Sequence, residues 1–400
     1  MKLLQYFVVA CMFCLQFVSH NLLADNSLKT HTFSGNRATL DSSLIIVAQK
    51  ISSTYEEPAI RIKEIYRWVA ANLSYDVDQL VHPVPYTSYE DLANQALKNR
   101  KAICQGYTAV FDILCRQCDL KSFIVHGYVK QNGQLLEIPH AWNAVQINGK
   151  WQLFDPTWGS GYLDETDKFI PRFTYDFFNI SPLESVKARM PFDPIWQLID
   201  RPRSHSVFMS GIETTAVNPI NFNDSIATFL QSDSLSRYNS EIRRIEKSGL
   251  DNKMIMDYYE YLQLSREVLI QNRKISLNNQ WVDISNQAID LYNNAVSDYN
   301  KYIISKNGQF RKPPLADEQI KDQINSPDQL LERSEILMQS ILTDDPELKN
   351  HLKKINQSIS ELRKAIDADK LFVDKYCRTP KASRLSLFRI PANKAKPRKK

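Results

Sequence analysis

Cys104, His140 and Asp155 lie in that order between Lys101 and Tyr162. These are the three residue types of thiol acyl transfer. A thiolate attacks a carbonyl carbon, an imidazole moves the proton, and a carboxylate holds the imidazole in one tautomer. Alone, none of them is informative. A cysteine at a helix start is more often buried than nucleophilic, and a single histidine is more often a satisfied polar group. The order of the three and the motifs around them favour a working triad.

The elements that must position them can be read from spacing. Cys104 opens the run CQGYTAVFDILCRQC, in which Tyr107, Val110, Phe111, Leu114 and Cys118 recur at helical intervals. This predicts a helix with Cys104 in its first turn. Unpaired N–H groups and the helix dipole stabilise an anion there, and only the thiolate is a good nucleophile. Gly106 is expected to leave room for a substrate backbone. Further on, Asn148-Gly149 predicts a two-residue type I′ hairpin turn. Ile147 then faces Lys150, and counting back sets Trp142 opposite Asp155 and His140 opposite Thr157. His140 and Asp155 become diagonal neighbours on one sheet face, roughly 7–8 Å apart. Asp155 would take one ring nitrogen and leave the other to Cys104. His126 also lies in a predicted strand, Phe123 to Val129, but no carboxylate sits at hairpin spacing, so it is read as a strand histidine.

Several of these stretches resemble one family. CQGYTAVFDILC, HAWNAVQINGKWQLFDPTWG and IYRWVAANLSYD resemble the core of the transglutaminase-like superfamily. Residues 175–198, YDFFNISPLESVKARMPFDPIWQL, resemble its kyphoscoliosis-peptidase branch. The resemblance spans about residues 40–210. It implies an α+β, papain-like core, with a helix carrying Cys104 packed on an antiparallel sheet carrying His140 and Asp155. It implies a peptidase or amidase acting on protein amides, with Trp142 and Trp158 beside the cleft as substrate-binding residues. Some members of this branch act in binding and have lost catalysis, so an inert adaptor is the rival reading. A cross-linking transglutaminase is the other alternative. The backbone N–H of Cys104 is the expected oxyanion donor.

Composition bounds the rest. Four hundred residues with 43% hydrophobic and 24% charged content predict two or three globular domains. Met1 to about Ala24 reads as a secretory signal peptide, which predicts a secreted or periplasmic protein without a lipid anchor. No later segment predicts a membrane span. The net charge is +5, and nine Lys/Arg with no acid fall in the last 25 residues. The body is therefore near neutral, which argues against nucleic-acid binding. Cys115 and Cys118 form a CxxC with no second pair, a poor zinc site, so neither metal nor cofactor is expected. The predicted organisation is a transglutaminase-like domain at 41–210, a helical bundle or coiled-coil region at 221–376, and a basic disordered tail at 377–400. The bundle follows from Trp281, Ile284, Ala288, Leu291 and Ala295, and from Leu348, Leu352, Ile355, Ile359, Leu362 and Ile366. A protein or peptide substrate is expected, with the helical region as a surface for a protein partner.

Overall fold

The computed structural model describes residues 40–212 and 219–388. The expected signal segment lies outside them. The chain divides into two compact units, with the division at Gln271/Asn272.

Four early helices of the first unit position the site, and local chemistry sets the starts of the first three of them. Helix α1 is Ser42–Thr54, capped by the Asp41 carboxylate, which accepts from the Ser43 N–H at 2.7 Å. Helix α2 is Pro58–Asn72, with Pro58 in its first turn where a missing N–H costs nothing. Helix α3 is Tyr89–Asn99, and the Ser88 hydroxyl accepts from the Asp91 N–H at 3.1 Å. The Asp91 carboxylate accepts from the N–H of Thr87, one residue before the cap, so no reciprocal capping box closes. Helix α4 is Cys104–Gln117 and is buried along most of its length. Ile62, Ile65 and Tyr66 of α2 and Tyr107, Val110 and Phe111 of α4 share one core with Val145 and Phe154 of the sheet. Each such side chain contributes about 1.5–3 kcal/mol on burial.

The sheet is five-stranded, and all its pairings are antiparallel. Strand β1 is Lys121–Gln131, β2 is Gln134–Leu135, β3 is His140–Ile147 and β4 is Lys150–Phe154. After them come helix α5, Pro156–Ser160, helix α6, Pro182–Ala188, and strand β5, Arg189–Pro191. Ile147 pairs with Lys150 around Asn148 and Gly149, whose φ angles of 50° and 80° are both positive, as a type I′ turn requires. The β3–β4 ladder ends at Asn143 and Phe154. The expected pairs Trp142–Asp155 and His140–Thr157 do not form. Pro156 has no N–H for a ladder and instead opens α5, so Asp155 leaves the strand as that helix's N-cap.

The unit that carries these residues does not end at 210. Helix α7 is Phe222–Gln231, α8 is Ser234–Ser248 and α9 is Lys253–Asn307. Ile226 and Phe229 of α7 pack with Trp142, Trp151 and Trp196. Ile242, Ile245, Met254, Ile255 and Leu262 pack with Tyr128, Met190 and Phe192. Arg244 forks Asp193 through Nε at 2.7 Å and Nη2 at 2.5 Å. The change of composition near Asn221 is therefore not an edge of this unit, which runs to Gln271. Ile245 is fully buried. Ile245→Ala should destabilise this unit by about 2–5 kcal/mol, read by denaturant unfolding. An unchanged midpoint would show that α8 packs on the sheet only loosely.

The second unit holds the remainder of α9 with α10, Asp317–Gln339, and α11, Pro346–Arg378. Its core repeats at seven-residue steps: Ala288, Ala295 and Tyr302; Ile324, Leu331 and Met338; Leu352, Ile359, Ile366 and Val373. The disordered tail expected from residue 377 is corrected as far as residue 388. Helix α11 continues to Arg378, and a 3₁₀ helix spans Lys381–Phe388. Arg384 forks Asp317 at 2.5 and 2.7 Å, and the Phe388 ring packs on Phe310, Phe372 and Tyr376. No helix among the described residues is long and apolar enough to cross a membrane.

Candidate active site

Cys104 is the first residue of α4, as the helical periodicity predicts, and is 7% exposed. It packs against Ile124 of β1, Ala141 of β3 and the edge of Tyr89. His140 is the first residue of β3 and is equally enclosed. Its Nε2 lies 2.8 Å from Asp155 Oδ2, and the Cys104 thiol is among the groups that favour its charged form. With Nε2 committed to the carboxylate, Nδ1 is the nitrogen left for sulfur. The three predicted residues meet, though by a different route from the hairpin count: the cap position of Asp155 brings its carboxylate to the imidazole.

The electrostatics follow from burial and charge. Burial acts to lower the His140 pKa, but the Asp155 charge and hydrogen bond, then the Cys104 thiol, outweigh it and raise it from 6.5 to about 9. Burial acts to raise the Asp155 pKa, but His140, Arg189 and the Trp158 N–H hold it below the ordinary carboxylate value. At neutral pH the pair is imidazolium and carboxylate. By linkage, the raised His140 value stabilises the fold fully below about 6.5, and this contribution is lost as pH rises through about 9. The depressed Asp155 value stabilises it above the ordinary carboxylate range and is lost as pH falls through the lowered value.

Arg189 is the residue that sequence reasoning missed. Its guanidinium is 4% exposed and donates from Nη2 to Asp155 Oδ2 at 3.1 Å. Its Cζ lies 4.3 Å from the Trp158 ring centroid and 5.3 Å from that of Phe177. Its Nε finds no hydrogen-bond partner among the described residues. The signal was an arginine inside the apolar run Ala188–Phe192, where a charge has to find a buried partner. Tyr89 was also missed. Its hydroxyl sits 3.1 Å from His126 Nε2, and burial lowers the His126 pKa to about 4, so this histidine is neutral at physiological pH.

The expected substrate-binding residues fare differently. Trp158 is half-buried, with its indole stacked 5.2 Å from the His140 ring. Trp142 is almost fully enclosed, and its ring centroid lies 6.1 Å from that of His140. It backs the imidazole from inside the core and lines no entrance. Gly106 is buried, and a Cβ there would meet the Ala102 Cβ at 2.5 Å. Its bare backbone serves the packing of α4 rather than the approach of a substrate.

Parts of the sequence match known proteins. A family model described as the transglutaminase-like superfamily matches residues 46–156. Residues 46–156 thus form a transglutaminase-like domain. Part of the chain is similar to kyphoscoliosis peptidases. It is 30% identical over 184 residues to kyphoscoliosis peptidase of Mus musculus, covering 43% of this chain and 26% of that protein. It is 32% identical over 157 residues to kyphoscoliosis peptidase of Homo sapiens, covering 36% and 22%. Hillarin of Drosophila melanogaster is 26% identical over 164 residues, covering 36% and 19%. The chain thus spans about a quarter or less of the length of these relatives. Among solved structures, the periplasmic domain of TgpA from Pseudomonas aeruginosa aligns at 16% identity and TM-score 0.26, over 31% of this chain and 46% of that one. A TGase aligns at 18% identity and TM-score 0.27, over 57% and 55%. Scores this low carry no argument of their own.

Proposed function

We propose that this protein is a cysteine acyl-transfer enzyme that hydrolyses amide bonds of proteins or peptides, with Cys104 as nucleophile, His140 as acid and base, and Asp155 as the group that orients His140. The observation that supports it best is one buried imidazole, hydrogen-bonded to a fully buried carboxylate, whose charged form a helix-start thiol also favours.

In this reading the Cys104 thiolate attacks the amide carbonyl carbon. Charge builds on the carbonyl oxygen, which the backbone N–H of Cys104 at the start of α4 would stabilise. The C–N bond breaks as the imidazolium gives its proton to the leaving amine. Water, deprotonated by the now neutral His140, then attacks the Cys104 thioester and releases a carboxylic acid. Hydrolysis is preferred to amine transfer because the relatives at 30% and 32% identity are peptidases by name. We place this activity outside the cytoplasm on the strength of the apolar N-terminal segment, a point tested by sequencing the N-terminus of the mature chain.

The test is to incubate the protein with a denatured polypeptide and a labelled primary amine, then to search for new termini and for acyl adducts on Cys104 by mass spectrometry. New termini that need Cys104 support hydrolysis. Label incorporation without new termini makes it a cross-linker. The reaction should also fall off as pH rises through about 9, where His140 loses its proton. An alkaline limb far from that value would remove His140 as the acid. One observation favours a second reading, an inert adaptor: Cys104 and His140 are only 7% and 8% exposed. Absence of any Cys104 adduct at every pH would put the adaptor first.

A further inference from the structure

We propose that Arg189 is a positioning residue of this site: its guanidinium, held by the rings of Trp158 and Phe177, fixes Asp155 Oδ2 and limits how strongly that carboxylate pulls on His140. The inference rests on the functional reading above only for its catalytic consequence; its physical core concerns His140 itself.

The geometry begins with β1. Gly127 pairs with His140 of β3 on one side and with Pro191 of β5 on the other. Val129 pairs with Arg189. Cross-strand partners and residues two apart share a sheet face, so His140, Gly127, Val129 and Arg189 lie on one face. The close approach depends on Gly127. A Cβ there would meet the Met190 carbonyl oxygen at 2.2 Å, the Trp142 ring at 2.7 Å and the Pro191 Cα at 2.8 Å. The glycine lets β5 close on β1, and β5 carries the arginine to Asp155.

At the carboxylate the contacts are divided. Oδ1 accepts the Trp158 N–H at 3.1 Å. Oδ2 accepts both His140 Nε2 at 2.8 Å and Arg189 Nη2 at 3.1 Å. The imidazolium and the guanidinium therefore compete for one oxygen. A permanent cation beside a carboxylate keeps it ionised in a buried place and lessens its attraction for a second cation. The aromatic rings fix the guanidinium plane: Trp158 touches His140 and Arg189 alike, and the Phe177 carbonyl accepts the Asp155 N–H at 2.9 Å. The other titratable groups around the pair are Cys104 of α4, beside His140, and Tyr66 and Tyr75, whose hydroxyls feel Asp155. His126 and Tyr89 lie on the Cys104 side, bonded to each other. Among the groups around Asp155, Arg189 is the one whose charge opposes the imidazolium at no pH cost of its own.

The experiment reads the His140 ring by NMR with ¹⁵N-labelled histidine, assigned by its loss in His140→Asn. It compares wild type, Arg189→Met and Arg189→Lys. In R189M the His140 midpoint should rise by about one pH unit, because Asp155 now serves one cation. In R189K, which keeps a charge, it should stay closer to wild type. An unmoved midpoint in R189M, or equal shifts in both variants, overturns the proposal, since loss of packing alone would not separate methionine from lysine. If R189M does not fold, Arg189→Gln takes its place: neutral and able to donate to Oδ2, it too should raise the midpoint, and a wild-type midpoint in it overturns the proposal. Peptide hydrolysis is assayed separately on the wild type. A moved midpoint without hydrolysis leaves Arg189 in this role and removes the catalytic reading. Hydrolysis with an unmoved midpoint does the reverse.

Discussion

Cys104→Ala should abolish acyl transfer while the fold survives. Loss of the nucleophile from a triad that acts as a unit lowers kcat on the order of 10⁶-fold. The alanine removes one sulfur that packs on Ile124 and Ala141. A truncation of that size costs about 0.5–1.5 kcal/mol, so the variant stays folded and its inactivity can be assigned to chemistry. The check is a paired measurement of product formation and unfolding midpoint. Residual hydrolysis within tenfold of wild type would place the nucleophile elsewhere.

Asp155→Asn should damage both activity and stability. The asparagine keeps the size of the side chain and an oxygen for the Trp158 N–H, but it removes the carboxylate that His140 and Arg189 share. Two buried cationic groups then face a neutral amide. Removing one partner from a buried ion pair costs about 3–5 kcal/mol. In triads built like this one, the same change lowers kcat about 10⁴-fold, because the imidazole is no longer held in its working tautomer. Raising the pH through about 9 neutralises His140 and should narrow the stability gap between variant and wild type, leaving the part owed to Arg189. Denaturant titrations at neutral pH and near pH ~10 read both parts. A variant as stable as wild type would mean that the buried charges find other partners.

What the sequence made legible was local. The stripe from Tyr107 to Cys118 set the start of α4 and so the place of Cys104. Asn148 and Gly149 set the hairpin. What stayed hidden was tertiary. Counting in twos through Pro156 carried the ladder past its end, and the cap role of Asp155 was visible only once Pro156 was read as a helix start. Arg189 lies 34 positions from Asp155, and no periodicity links the two. The resemblance put Trp142 beside the cleft, yet its burial is decided by Val125, Val129 and the helix that begins at Phe222. That helix shares the polar, glycine-poor composition of the second unit. Composition therefore grouped it with the wrong core.

The two oxygens of Asp155 answer to different demands. Oδ1 caps α5, while Oδ2 neutralises a buried arginine as well as touching the imidazole. A lineage that gave up chemistry would still pay in folding for losing this aspartate, so drift would spare it. Among the described residues, Cys104 packs in a small apolar cluster with Ile124 and Ala141 and carries no such second charge to balance. Among descendants of this fold, an intact aspartate is thus weak testimony of a living enzyme, and the fate of the cysteine is the strong one.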